Sequence, residues 1–241
     1  MAPGCAARAG ARRGARRAPG RAGAGGRARA GVRGLTALRQ DHPMDHKQIL
    51  HDGLRRQRAA LLQKLEGLSE RDARLPRTST GINLLGLVKQ AAVVELEYFG
   101  ETFGRPAEVQ LPWAAAGQPE EDNVDMFAAE GESLEDVLEF ARRCFAHADA
   151  TITDLGVDAP GRVAWWPDDK AEVTLAQIIA HVALDEARHA GHADILREQI
   201  DGQAGLRAPG NNLPPWDADR WAAHVDRLTA IAEGSGGPGR N

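Results

Sequence analysis

The chain has 241 residues, 42% hydrophobic and 27% charged, with a net charge of −4. That is enough to bury one good core and carry appendages. No apolar run approaches the roughly 18 to 20 residues that cross a bilayer, and the N-terminus has no apolar signal region, so a soluble, cytoplasmic domain without membrane partners is expected. Cys5 and Cys144 are the only cysteines, too few for a disulfide framework or a cysteine-based zinc site.

The charge is unevenly placed. Residues 1–43 hold ten arginines and one acid, Asp41, leaving 20 basic and 33 acidic residues and a charge of −13 from Met44 onward. Three readings of this Ala/Gly/Arg-rich extension are open: an overlong predicted start or dispensable tail, a nucleic-acid arm, or a presequence poor in serine. The first is favoured because Met44 stands directly before the first periodic segment. Nucleic-acid binding is the weakest, since the acidic domain behind the arm would repel phosphate. The composition predicts disorder for residues 1–43.

From Met44, apolar residues at Ile49, Leu50, Leu54, Leu61, Leu62 and Leu65 predict a first helix over 45–68 that stops near Gly67. The stretch INLLGLVKQAAVVELEYFGETF, 82–103, is apolar enough for a largely buried second helix. Residues 105–131 are rich in Pro, Ala, Gly and acids and read as a long connection. A third helix over 133–155 opens on Ser133 and Asp136 in the capping-box spacing, and Thr174 with Gln177 opens a fourth over 175–202. Between them lie the turn-rich segment 156–173 and its paired Trp165 and Trp166. After residue 204 the tail contains one short helical stretch, 217–234. No alternating strand pattern competes, so the expected class is all-α, and four long helices point to a four-helix bundle over 44–204.

The fourth helix carries the densest chemistry. At about 100° per residue, with His181 at zero, His192 falls near 20°, Asp185 near 40° and His189 near 80°, all in one sector that overlaps the apolar stripe. Asp185 and His189 stand four apart, so both can reach one cation. The same spacing also suits a hydrogen-bonded core histidine, or an aspartate paired with Arg188. On the second helix Gln90, Val94, Glu97 and Tyr98 share an arc of about 100°. His51 and His147 are further donors whose direction the sequence leaves open. Cys144 reads as a small core hydrophobe. No nucleophile elbow, phosphate loop or dinucleotide fingerprint is present in the right context.

The stretches LSERDARLPRTSTGINLLGLVK (68–89), EYFGETFGRP (97–106) and ARHAGHADILREQIDG (187–202) resemble the DinB superfamily, in particular its actinobacterial domain-of-unknown-function branch, from Met44 to about Gly202. The resemblance implies an up-down-down-up four-helix bundle, usually a homodimer, holding a divalent metal such as zinc or nickel on three residues. It also implies a low-molecular-weight thiol such as mycothiol or bacillithiol as cosubstrate for a small-molecule transferase or isomerase. Two implied ligands match Asp185 and His189. The third, a histidine after the lysine of LLGLVK, falls on Gln90, and a neutral amide is the weaker ligand for a zinc-like ion. Glu97, His181 and His192 are further pocket candidates. Two functions are therefore carried forward: a metal-assisted, thiol-dependent S-transferase, and a catalytically lapsed bundle that binds a small ligand or supports a dimer without tight metal.

Overall fold

A computed structural model of the chain describes residues 45–115, 123–206 and 208–234, all within the compact unit Met44–Asn241. The readings of residues 1–43 lie outside the described residues.

Helix α1 (His46–Gln63) begins where Asp45 accepts a hydrogen bond from the Gln48 amide, 3.2 Å, which satisfies one of the free N–H groups of the first turn. Helix α2 (Glu70–Arg74) is a short turn capped by Ser69. Helix α3 (Leu84–Phe99) starts at Asn83, whose side chain accepts from the Gly86 amide at 2.8 Å. Thirteen of its sixteen residues are buried, as an all-round apolar helix requires. Gly86 is needed for close approach: a Cβ there would lie 1.8 Å from the Met126 carbonyl oxygen. The connection that follows contains a 3-10 turn (Glu101–Phe103), helix α4 (Pro112–Ala115) and a second 3-10 turn (Val124–Met126).

Helix α5 (Leu134–Asp154) opens with the predicted Ser133/Asp136 capping box. A hairpin then forms from β1 (Pro160–Arg162) and β2 (Glu172–Thr174), antiparallel with Pro160 opposite Thr174, and helix α6 (Asp168–Ala171) lies in its connection. This hairpin amends the all-α expectation. Strands of three residues are too short to show a period of two in sequence. Tertiary contact holds them, because Gly161 sits against Thr102 and Phe103 where a Cβ would come within 2.7 Å of the phenyl ring. Helix α7 (Leu175–Asp201) carries the Thr174/Gln177 capping box and ends at Gly202 in the left-handed conformation, φ 75°. Helix α8 (Ala218–Gly234) buries none of its residues.

Among the described residues the fold is thus mostly helical with one two-stranded sheet. α3 packs against α5 and α7, and α1 against α7 and α3. One apolar cluster centres on Leu85, Ala91, Leu96, Phe140, Ala141 and Leu196, and a second on Leu54, Phe99, Ile152, Leu175, Ile178 and Val182 beside the hairpin. Each such Leu, Ile or Phe contributes about 1.5–3 kcal/mol by leaving water. No helix among the described residues is long and apolar enough to cross a membrane.

Candidate functional site

Two side-chain stripes meet where α3 passes α7. On α7, His181, Asp185 and His189 stand at successive four-residue steps; on α3 so do Tyr98, Val94 and Gln90. Such steps place side chains one above another. The Tyr98 and His181 rings lie 5.1 Å apart, and three residues before Tyr98 Glu95 interacts with Glu186, five residues after His181. The two helices therefore run antiparallel here, with Val94 level with Asp185 and Gln90 level with His189.

The outer layer of this seam is polar and incompletely satisfied. His189 Nε2 lies 3.4 Å from Asp185 Oδ2, and their side chains are 15% and 38% exposed. Gln90 Oε1, His189 Nδ1 and His192 Nδ1 are buried with no hydrogen-bond partner among the described residues. Burying such atoms unpaired is unfavourable, which marks the seam as a place for something else to bind. The His189 and His192 rings meet edge to face at 5.8 Å. Burial lowers the His189 pKa, with Asp185 opposing and His192 and Arg188 reinforcing the shift. The ring is then neutral at neutral pH. With Nε2 facing the carboxylate, its proton sits there and Nδ1 presents a lone pair.

An inner layer lies directly beneath. Arg58 on α1 donates through Nε and Nη2 to both oxygens of Glu95, and through Nη1 to Asp149 Oδ1 at 2.6 Å. Burial works against the Arg58 charge, but Glu95 and Asp149 outweigh it and raise its pKa. Asp149 also receives Arg55 at 2.9 Å and lies 2.6 Å from His51 Nε2. Glu186 is 0% exposed, and neither of its oxygens has a donor among the described residues. Burial, and then the neighbouring Glu95, push its pKa well up. Burial also raises Glu95, against the pull of Arg58. The proton of the pair therefore resides on Glu186, and Glu95 stays ionised against Arg58.

Burial alone would raise Asp149, but hydrogen bonds from Arg55, His51 and Arg58 prevail and hold it at about 2. An aspartate in an unfolded chain titrates near roughly 3.9. The stability that this depressed group contributes is full above that value and is lost as pH falls through about 2. Asp149→Asn is accordingly expected to flatten the acid limb of stability between about pH 4 and pH 2. Urea unfolding across that range checks this; an acid limb parallel to that of the unsubstituted protein would remove Asp149 as its cause.

The other sequence candidates fall in different places. Glu97 is half-buried on the α3 arc, and His181 is exposed beside Tyr98 and Trp166. His51 belongs to the Asp149 network and His147 lies near Gly100, where its Nε2 would be 3.6 Å from an added Cβ. The side-chain contact of Asp185 runs to His189, and Arg188 is exposed. Cys144 is buried at 0% exposure, with burial pushing its thiol up to about 12, so it is no nucleophile at neutral pH. Sequence reasoning missed Arg58, Glu95 and Glu186. Its available signal was an acid inside an apolar run, at VVELEYF, which only a buried counter-charge permits.

The 3.4 Å between His189 Nε2 and Asp185 Oδ2 equals roughly the separation of two ligands bound at about 2.1 Å to one tetrahedral ion. Among the described residues no three His, Cys, Asp or Glu side chains form a group that could hold a metal, so the Gln90 amide would have to be the third donor. Two oxygens and one imidazole fit a loosely held, oxygen-preferring cation better than a tight zinc centre.

A mostly helical protein with a two-layer polar seam between α3 and α7 is the class that fold and site define. A model of the mycothiol-S-transferase family matches residues 49–202, well over half of the chain, and the chain belongs to that family. No curated protein matches it.

Proposed function

We propose that the protein is an S-transferase that joins mycothiol to a small electrophile, with the α3/α7 seam as its active site on the up-down-down-up four-helix bundle of a homodimer. The observation that carries this reading is the buried Nδ1 of His189, unpartnered among the described residues, on a ring whose Nε2 faces Asp185, in a chain of the mycothiol-S-transferase family. His189 takes the thiol proton on Nδ1, and Asp185 stabilises the resulting imidazolium. The thiolate sulfur then forms a bond to the electrophilic carbon. The leaving group departs with its electron pair, and His189 returns the proton. Glu186 and Glu95, anchored by Arg58, fix α7 against α3 beneath the reacting pair. In place of that base, a divalent cation of the zinc, nickel or manganese class on Asp185, Gln90 and His189 Nε2 would supply Lewis acidity that lowers the thiol pKa, with the ring proton then on Nδ1. The Gln90 amide favours a second reading, a lapsed bundle that binds a small ligand without tight metal.

Turnover of mycothiol with a chromogenic electrophile tests the proposal. His189→Ala is expected to lower kcat/KM by about 10²-fold or more, the ordinary worth of a placed base. A rate with enzyme no greater than that of mycothiol alone sinks the transferase and leaves the lapsed bundle.

A further inference from the structure

We propose that Tyr98, Trp165, Trp166 and His181 form a subsite for a flat, electron-poor aromatic group on the electrophile. The inference rests on the seam being the active site and names the substrate class that site would take. Tyr98 meets Trp165 at 5.1 Å and Trp166 at 6.0 Å, both edge to face, and Trp166 meets His181 at 5.0 Å. These rings close the hairpin end of the same two stripes. His181 lies one helical turn from Asp185 and two from His189, about 6 and 12 Å along the axis. A ring on this wall thus puts a carbon on its edge, or one or two bonds beyond, within reach of a sulfur held at Asp185 and His189.

The wall is preorganised. Val163 is fully buried and its amide donates to the Ala171 carbonyl at 3.0 Å, while the Trp166 amide donates to the Val163 carbonyl at 3.2 Å. The turn that presents both indoles is therefore tied to the hairpin, and a ligand need not order it. Trp165 remains 46% exposed, so a large aromatic surface is left in water beside the seam.

Two polar handles of the wall are engaged with each other. Trp166 Nε1 donates to the Tyr98 hydroxyl at 3.1 Å, which occupies the polar handle of the indole and engages that of the phenol. What remains is chiefly ring surface, whose electron-rich faces favour an electron-poor partner ring.

Calorimetric titration of the full chain with S-(2,4-dinitrophenyl)-N-acetylcysteine tests the subsite, with S-methyl-N-acetylcysteine and N-acetylglucosamine as probes that lack the ring. The dinitrophenyl compound should bind, Trp165→Ala should weaken it about tenfold, and Trp165→Phe should keep most of the affinity. The ringless probes should bind more weakly and without dependence on Trp165. Trp165 is half-exposed, and an unchanged circular dichroism melt would establish that the variants fold. Equal dinitrophenyl affinity in protein and Trp165→Ala, no binding at all, or sugar binding that depends on Trp165 would each overturn the subsite. Because no turnover is read, ring binding without thiol transfer sinks only the transferase, and thiol transfer with Trp165-independent binding sinks only the subsite.

Discussion

Gln90→His is expected to tighten zinc binding at the α3/α7 seam by at least about 10²-fold, the upper end of what even an outer-shell ligand change does to a metal site. The reason lies in the donor set. Asp185 and His189 already stand at the mutual distance of two ligands on one ion, and Gln90 lies level with His189 on the facing helix with its amide oxygen buried and unpartnered. An imidazole there replaces a neutral oxygen by a borderline-soft nitrogen, which suits zinc far better than it suits manganese. Manganese affinity should change much less. Competition with a chromophoric chelator gives the zinc dissociation constants of the protein, of Gln90→His, and of Gln90→His with His189→Ala. The gain should vanish in the last of these. A Gln90→His protein that binds zinc no better than its parent would mean that the two stripes do not converge, and the site would have to be redrawn.

Arg58→Met should destabilise the fold by about 3–5 kcal/mol, the cost of leaving a buried charge without its partner. Glu95 is 0% exposed and receives two hydrogen bonds from Arg58, and Glu186, equally buried, lies against Glu95. Without the guanidinium the two acids share one dry site, and Asp149 loses a donor. For a domain whose whole stability is about 5–15 kcal/mol, that loss is large. Urea unfolding followed by circular dichroism measures it. Replacing the trio together, as Arg58→Met with Glu95→Leu and Glu186→Leu, should recover most of the loss, because the charges need one another more than the core needs the charges. A loss below about 1 kcal/mol for Arg58→Met would show that water reaches the network and screens it.

Particular elements show why some of the fold was legible and some was not. The Thr174/Gln177 and Ser133/Asp136 boxes start α7 and α5 where expected, because a cap is a local bargain between a side chain and the first free amides. Helix α3 was legible from its apolar length alone. The hairpin of Pro160–Arg162 with Glu172–Thr174 was not, since three-residue strands carry no period and are held by packing against Thr102 and Phe103. The short helices Glu70–Arg74, Pro112–Ala115 and Asp168–Ala171 escaped for the same reason of length.

The site divides along a similar line. By itself the sequence determined helices α1, α3, α5 and α7, the stripe that joins His181, Asp185 and His189, and the family likeness that makes Gln90 a departure, because helical periodicity and capping are properties of neighbours in the chain. Only the tertiary structure decided what each stripe faces. It sent His51 to Asp149, joined Trp165 and Trp166 to Tyr98, and placed Arg58 under the seam as counter-charge to Glu95. A charged residue inside an apolar run states that a partner must exist, but its position depends on which helices meet and at what level, and that is set by the packing of the whole core.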